Sequence, residues 1–384
     1  MNTIAGITGK VIQDSRGEDT VSCTLILDDG STAESSVPQG KSTGSHEAVS
    51  LPASKVIEYS FKHISDLLNG KGISDQEYID EVLCEAAGEN KANLGANATL
   101  AVSIAVARAQ ARVAGIPLWK YLRSLSNIDS FETPFPRPFV NLINGGAHTG
   151  NIKIFQEYIL IPQEGTMRDC LEHADRAWRV VGEEVNKNRE VSLGDEGGYA
   201  LKTEDPIEPL EILSRTVGEY SKFAIDAAAT ESVYDDDHLT DIYKIIIGRF
   251  PVEYLEDPYG EEDFDLFSRL QNTSKVICVG DDLTTTNVSR MERAFNEKSI
   301  RGIIIKPNQI GTVTETLSAA RLARLYGWHI IVSHRSGETE DTFIADLAYG
   351  VGAEGIKIGA SVHKERLAKY DRLRVIEREI AILQ

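Results

Sequence analysis

The sequence predicts an α/β protein with a small N-terminal α+β domain and a C-terminal barrel of alternating strands and helices. Six short apolar runs lead directly into an ionisable residue, and these residues are Asp226, Glu256, Asp281, Lys306, His334 and Lys357. They lie 23 to 30 residues apart, which is about the length of one strand, one helix and two loops. One run contains Ile303 to Ile305, and such a run is typical of a strand buried on both faces. The pattern therefore predicts a barrel with polar groups gathered at the C-terminal ends of its strands.

The first domain is predicted to begin as an antiparallel meander and to continue with helices. Its predicted elements are strands at 4–12, 20–27 and 31–37 and helices at 75–87 and 96–114. A hairpin-turn signal at 28–30 joins the second and third strands. The segment 38–48 is rich in Gly, Ser and Thr, and we expect it to be a mobile loop. A proline-containing segment follows, and it places the domains at residues 1–126 and 127–384.

The second domain is predicted to open with two strands, at 139–143 and 155–161, before the first of the six strand–helix units. A glycine-rich loop between them holds His148, and Glu157 lies near the start of the second strand. Both side chains could contact a ligand, although an isolated His or Glu usually does not. A later loop, LGDEGG, holds Glu196 among glycines that would let the backbone approach a ligand closely. Glu196 is therefore a candidate general acid, and a plain glycine turn with an exposed acid is the alternative.

Three successive strand ends carry the carboxylates Asp226, Glu256 and Asp281. Converging carboxylates repel one another unless a cation lies between them, and hard oxygen ligands suit Mg²⁺. Each acid alone could instead cap the following helix, but the two lysines in the set of six cannot. Lys306 stands at the next strand end, and a nearby divalent cation should lower its pKa toward that of a general base. Such a base could remove a weakly acidic proton next to a carboxylate while the metal stabilises the enediolate.

The sequence His334-Arg335-Ser336 follows the fifth of these six strands. A guanidinium and a hydroxyl in this position suit a phosphate group, and a surface loop is the alternative.

The composition indicates a soluble globular protein and limits its partners. The chain has 384 residues, a formal net charge of −19 and a mean hydropathy of −0.22. Such negative charge disfavours nucleic acid and anionic membranes as partners. No apolar stretch reaches the roughly 20 residues of a membrane span, and the N-terminus has no apolar signal core. The four cysteines are scattered without zinc-site spacing, so we expect a reduced, cytoplasmic protein.

Several longer motifs resemble those of the enolase family, phosphopyruvate hydratase. They include DSRG at 14–17, STGSHEA at 42–48, NLINGGAHTGN at 141–151, GDEGGYA at 194–200, LEDPYGEEDF at 255–264, KPNQIGT at 306–312 and VSHRSGETED at 332–341. The resemblance extends over nearly the whole chain. It implies an N-terminal α+β domain and a (β/α)8-type barrel of ββαα(βα)6 order, which agrees with the elements predicted above. A lysine base beside Mg²⁺ is itself the known arrangement of this superfamily.

The resemblance implies a hydro-lyase that interconverts 2-phospho-D-glycerate and phosphoenolpyruvate in glycolysis. It implies two Mg²⁺ ions in each active site, the second binding with the substrate, and a homodimer or larger homo-oligomer. The implied roles are the base for Lys306, the acid for Glu196, the first metal for Asp226, Glu256 and Asp281, the second metal for Ser42, and substrate contacts for His148, Glu157, His334, Arg335, Ser336 and Lys357.

The chain departs from the usual family sequence at the lid and the pocket rim. Glu18-Asp19 replaces Asn-Pro, Gln39-Gly40-Lys41 changes the mobile loop, and Leu201-Lys202 follows the GDEGGYA motif. An enolase-like lyase acting on a phosphonate or another altered phosphorylated substrate is therefore the alternative, with Lys41 as its main support. A catalytically inactive binding protein is disfavoured by the intact Glu196, Lys306, His334 and Lys357. Racemase activity is disfavoured because the strand FAIDA carries no lysine pair.

Overall fold

The structure is a computed structural model that describes residues 2–40, 44–128, 134–151, 153–187, 191–218 and 221–383. Its first part is a three-stranded antiparallel meander covered by helices. The elements are β1 (Ile4–Gln13), β2 (Asp19–Leu27), β3 (Thr32–Val37), α1 (Ala53–Lys55), α2 (Phe61–Leu68), α3 (Gln76–Ala87), α4 (Ala96–Val113) and α5 (Leu118–Ser126). A π-helical segment, Val56–Ser60, joins α1 to α2. The Ala-rich α4 is almost wholly buried because its small side chains allow the sheet and the neighbouring helices to pack closely.

The second part is a closed eight-stranded barrel surrounded by helices. Its strands are β4 (Arg137–Asn144), β5 (Glu157–Ile161), β7 (Lys222–Asp226), β8 (Val252–Glu256), β9 (Ile277–Gly280), β10 (Gly302–Ile305), β11 (His329–Ser333) and β12 (Gly355–Lys357). The short β6 (Tyr199–Ala200) pairs in parallel with the C-terminal end of β4. The helices are α6 (Gly146–Thr149), α7 (Met167–Val185), α8 (Glu208–Thr216), α9 (Asp236–Arg249), α10 (Phe264–Thr273), α11 (Val288–Asn296), α12 (Val313–Leu325), α13 (Phe343–Gly350) and α14 (Lys364–Leu383).

The barrel closes because β12 pairs in parallel with β4. Seven of the eight barrel strands run in one direction, and β5 runs antiparallel to both of its neighbours, β4 and β7. The order of the barrel elements is ββαα(βα)6, with α7 and α8 as the helix pair. The predicted fold class, with a small N-terminal α+β domain and a (β/α)8-type barrel, is confirmed. The proposed division into residues 1–126 and 127–384 stays a prediction.

The three isoleucines of β10 show how the barrel is filled. Ile304 points into the barrel and packs with Phe139, Ile159, Tyr254 and other interior side chains. Its neighbours Ile303 and Ile305 belong to the outer core instead. Successive side chains of a strand point to opposite faces, so a strand covered on both faces needs a continuous apolar run. Because side chains fill the barrel interior, a ligand can bind only at the ends of the strands.

Among the described helices, no single one is long and apolar enough to cross a membrane. The pair α4 and α5 passes that test together, but the two helices are bent by 106° relative to each other and α4 is a buried core helix.

Candidate active site

The C-terminal ends of the barrel strands bring the predicted site residues together around one cavity. Predicted residues that line it are His148, Glu157, Glu196, Asp226, Asp281, Lys306, His334, Arg335, Ser336 and Lys357. Glu256 ends β8 directly beside Asp226 in the strand register and contacts Lys357. Glu157 belongs to this end of the barrel because β5 is antiparallel, so its first residue pairs with Asp226. Ser42 and Lys41 lie outside the described residues.

Lys357 lies among three carboxylates at the centre of the cavity floor. Its Nζ is 2.8 Å from Oε2 of Glu256, 3.2 Å from Oδ2 of Asp226 and 3.3 Å from Oε1 of Glu157. Burial alone would lower the pKa of Lys357, but these carboxylates raise it well above its ordinary value. Burial and the neighbouring charge of Asp226 raise the pKa of Glu256 well above its usual range. The site therefore holds more negative charge than one ammonium group neutralises.

Lys306 forms an ion pair with Oδ2 of Asp281, and the same carboxylate accepts a hydrogen bond from Gln309 at 3.0 Å. Burial would lower the pKa of Lys306, but Asp281 raises it above its ordinary value. Burial would also raise the pKa of Asp281, and Lys306 lowers it. The protein's own groups therefore stabilise the charged ammonium. The lowering of this pKa predicted from the sequence depends on a cation taking over the charge of Asp281.

Glu196 also lines the cavity, where it lies beside Asn141 and two histidines. Its Oε2 accepts from Nδ2 of Asn141 at 3.1 Å, and its Oε1 is 3.5 Å from Nε2 of His334 and 4.0 Å from Nδ1 of His148. Carboxyl oxygens of Glu157 and Glu196 lie within 4.8 Å of each other. Burial would raise the pKa of Glu196, but His334 and His148 lower it well below its usual range. Burial and the charge of Glu196 raise the pKa of Glu157 well above its usual range.

These opposite directions distinguish the two buried carboxyl groups. They favour the neutral form of Glu157 and the ionised form of Glu196. The sequence predicts Glu196 as the acid, and the structure places a second buried carboxyl group, that of Glu157, within 4.8 Å of it.

At the third side of the cavity, Arg335 presents its guanidinium to the carboxylate of Glu47. Nη1 is 2.9 Å from Oε2, and Nη2 is 3.1 Å from Oε1. Ser336 follows in the same loop and also lines the cavity. The planar guanidinium binds a carboxylate and a phosphate with the same two-pronged geometry, so this end of the cavity suits a phosphate.

The two family models that match the chain cover almost all of it. One is described as the enolase N-terminal domain and matches residues 4–122, and the other is the enolase C-terminal TIM barrel domain and matches residues 132–383. The chain belongs to the enolase family. The resemblance stated from the sequence motifs is thereby confirmed, and with it the enzyme class, a hydro-lyase.

Relatives named as enolases align with nearly the whole chain. The enolase of Methanopyrus kandleri is 37% identical over 418 residues, covering 99% of this chain and 97% of the relative. Enolase B of Dictyostelium discoideum and enolase 2 of Hevea brasiliensis are each 36% identical, covering 98% of this chain and 95% of each relative. The alignments therefore span nearly the whole of this chain and at least 95% of each relative.

The carboxylates of this enolase-family site fit a divalent metal ion. Asp226, Glu256 and Asp281 offer hard oxygen ligands, and Oε2 of Glu157 is buried without a hydrogen-bond partner. Within the described ranges, two groups have ligand atoms within 4.8 Å of one another: His148 with Glu157 and Glu196, and Asp257 with Asp281 and Asp282. The predicted ligands are not gathered that tightly, because Lys357 lies between Asp226 and Glu256 and Lys306 pairs with Asp281.

The enolase-family site also contains residues whose roles the sequence did not predict. Asp257 accepts hydrogen bonds from the backbone N–H groups of Asp281 and Asp282, at 3.0 and 2.7 Å, and so fixes the end of β9. Gln309 links Asp281 to Glu47, with Nε2 3.4 Å from Oε1 of Glu47. The motifs LEDP, KPNQIG and STGSHEA contain these residues, but only the fold shows where their side chains point.

Proposed function

We propose that the chain catalyses the reversible dehydration of 2-phospho-D-glycerate to phosphoenolpyruvate with Mg²⁺ as cofactor. The observation that carries this proposal is one cavity lined by Lys306, by the neighbouring carboxyl groups of Glu157 and Glu196, and by the guanidinium of Arg335. This set provides a base, an acid and a phosphate ligand for one small substrate. The family membership supports the same reaction.

Asp226, Glu256 and Asp281 would hold the first Mg²⁺. When bound, the ion supplies positive charge that stabilises the enediolate form of the substrate carboxylate. The set fits because all three side chains are buried carboxyl groups. Burial and the neighbouring Asp226 raise the pKa of Glu256, and a bound cation would offset both effects and favour its ionised form. Ser42 is our proposed ligand for a second Mg²⁺.

Lys306, as the neutral amine, removes the proton from C2 of the substrate. The electron pair of the C2–H bond moves into the substrate carboxylate, and Nζ of Lys306 holds the proton. Neutralising the charge of Asp281 favours the neutral amine, since Asp281 is the group that keeps Lys306 charged. Lys357 remains charged among its carboxylates and contacts the carboxylate of the substrate.

The pair of Glu157 and Glu196 supplies the proton for the leaving hydroxyl group. The electron pair returns to form the C2–C3 double bond as the C3–O bond breaks, and the hydroxyl leaves as water. In this proposal Glu157 is the source of the proton and Glu196 delivers it, because burial and the charge of Glu196 raise the pKa of Glu157 and the two carboxyl groups lie within 4.8 Å of each other. Arg335 and Ser336 orient the phosphate throughout, and His148 and His334 border the acid.

The proposal includes a role in glycolysis, a cytoplasmic location and a homodimer or larger homo-oligomer. It includes no nucleic-acid or membrane partner, in line with the net charge of −19.

The decisive experiment is to mix the purified protein with 2-phosphoglycerate and follow phosphoenolpyruvate by its ultraviolet absorbance. We expect fast turnover with Mg²⁺ and none with excess EDTA. Lys306→Ala should abolish turnover, whereas Lys275→Ala, which changes an exposed lysine on the loop before β9, should not. Absence of turnover in a folded protein that still binds Mg²⁺ would refute the proposed substrate. A panel of phosphonate analogues, with Lys41→Ala beside the wild type, would then test the altered-substrate alternative.

A further inference from the structure

His334 is held between the carboxylate of Glu196 and the guanidinium of Arg366. Its Nε2 lies 3.5 Å from Oε1 of Glu196, and its Nδ1 lies 2.5 Å from Nη1 of Arg366. Arg366 belongs to α14 and has no exposed surface. A fully buried arginine in contact with a histidine beside the acid requires an explanation, because burying a guanidinium is costly.

The guanidinium group has only hydrogen-bond donors, so Nδ1 of His334 must be the acceptor. The proton of a neutral ring then lies on Nε2, which faces Glu196. A charged imidazolium would place a second donor against Nη1 and two positive charges side by side. The charged groups that face the ring are Glu196, Arg366 and, farther away, Glu338. Burial and Arg366 together outweigh Glu196 and lower the pKa of His334 to about 4.

Two backbone contacts fix the position of the guanidinium. Nη1 donates to the carbonyl oxygen of Arg335 at 3.0 Å, and Nη2 donates to that of Ser336 at 2.9 Å. Gly359 allows this close assembly, because its φ is +66° and a Cβ there would lie 2.8 Å from the carbonyl oxygen of Glu196 and 3.1 Å from Cε1 of His334. The loop that contains His334 therefore also holds the guanidinium of Arg366 against the imidazole ring.

We propose that Arg366 is a positioning residue that fixes His334 as the neutral tautomer with its proton on Nε2, so that His334 donates a hydrogen bond to Glu196. In this state the ring cannot deliver a proton as an acid, and it stabilises the carboxylate that remains when Glu196 has given up its proton. The role of this arrangement in catalysis rests on the proposed function, whereas the assignment of the tautomer rests only on the contact between Arg366 and His334.

The first test is an NMR measurement on the wild-type protein with ¹⁵N-labelled histidine. A long-range ¹H–¹⁵N correlation spectrum separates protonated from unprotonated ring nitrogens, and His334→Gln assigns the signal among the eight histidines. We expect Nε2 protonated and Nδ1 unprotonated throughout pH 6–8. A ring that is protonated on Nδ1, or doubly protonated, at pH 7 would overturn the proposal whether or not the protein turns over 2-phosphoglycerate.

The second test replaces the arginine. In Arg366→Met the ring loses its donor, and we expect mixed tautomers and a His334 pKa higher than in the wild type. In Arg366→Lys the ammonium keeps a charge and a donor, so the Nε2-protonated form should be partly restored. Arg372→Met is the matched control on the same helix, because Arg372 pairs with Asp346 and Glu379 away from the cavity. Its His334 signals should match the wild type.

Kinetics separate positioning from a purely structural role. Arg366→Met should slow loss of the hydroxyl group about tenfold or more while C2 proton exchange continues near the wild-type rate. Arg366→Lys should recover part of that loss. Equal slowing of both steps, or an unchanged tautomer in Arg366→Met, would contradict the assigned role. Turnover failure with the expected tautomer would instead count against the proposed substrate.

Discussion

Glu47 and Arg335 form a two-pronged ion pair inside the cavity, with N–O distances of 2.9 and 3.1 Å. The side chains are at most 7% exposed. Glu47 comes from the glycine-rich loop of the first domain, and Arg335 follows β11 of the barrel. A carboxylate of the first domain therefore binds the guanidinium that we propose as the ligand of the substrate phosphate.

Glu47→Gln should destabilise the free protein by about 3 kcal/mol, because it leaves the buried Arg335 without its carboxylate partner. Inorganic phosphate should then raise the Tm more in the variant than in the wild type, since phosphate no longer competes with a carboxylate. Thermal unfolding over a phosphate series measures both effects. Glu81→Gln, at an exposed position of α3, is the control. Equal phosphate-induced shifts in the variant and the wild type would contradict competition between Glu47 and phosphate.

Lys306→Ala should abolish exchange of the C2 proton of 2-phosphoglycerate with solvent. Mg²⁺ binding should remain nearly intact, because Asp281 loses an ammonium partner and keeps its carboxylate. Deuterium incorporation followed by NMR measures the exchange, and calorimetry measures the metal binding. Exchange that persists in this variant would show that another group is the base.

Glu196→Gln should slow departure of the C3 hydroxyl by about a hundredfold or more, because the amide cannot deliver a proton. C2 proton exchange should continue, since Lys306 pairs with Asp281 and not with Glu196. Rapid-quench measurement of phosphoenolpyruvate beside deuterium exchange distinguishes the two steps. If both stop together, Glu196 is not the acid.

The buried His334 should make folding stability depend on pH. Burial lowers its pKa to about 4, below the ordinary value of 6.5, so the unfolded chain binds this proton more readily than the folded one. The free energy of unfolding should therefore fall as the pH decreases from about 6.5 to 4, by at most about 3 kcal/mol from this group. Denaturant titrations of wild type and His334→Gln measure the difference. His63→Gln, at an exposed histidine, should keep the wild-type slope.

The barrel could be predicted because its strands are buried on both faces and are followed at once by the polar residues of the site. Ile303 to Ile305 and Lys306 show this most clearly. The antiparallel direction of β5 was not evident from its apolar run, since a buried run looks the same in either direction. Its direction matters because it brings Glu157 next to Asp226.

Arg366 and Glu47 were not predicted, because neither follows a strand. Arg366 lies near the start of α14, in a helix whose other charged residues are mostly solvent-exposed or partly exposed. Glu47 lies in a polar loop of another domain. Their roles depend on contacts with residues 32 and 288 positions away in the chain, and no local pattern encodes such contacts.

The pairing of β12 with β4 has a consequence for the order in which the molecule can assemble. Lys357 follows every other barrel strand in the chain, yet it neutralises carboxylates on β5, β7 and β8. During synthesis, the carboxylates on β5, β7 and β8 are made before Lys357, which is their counter-charge. In a partly synthesised barrel these carboxylates repel one another where they converge, and this repulsion disfavours compact states of chains that lack β12.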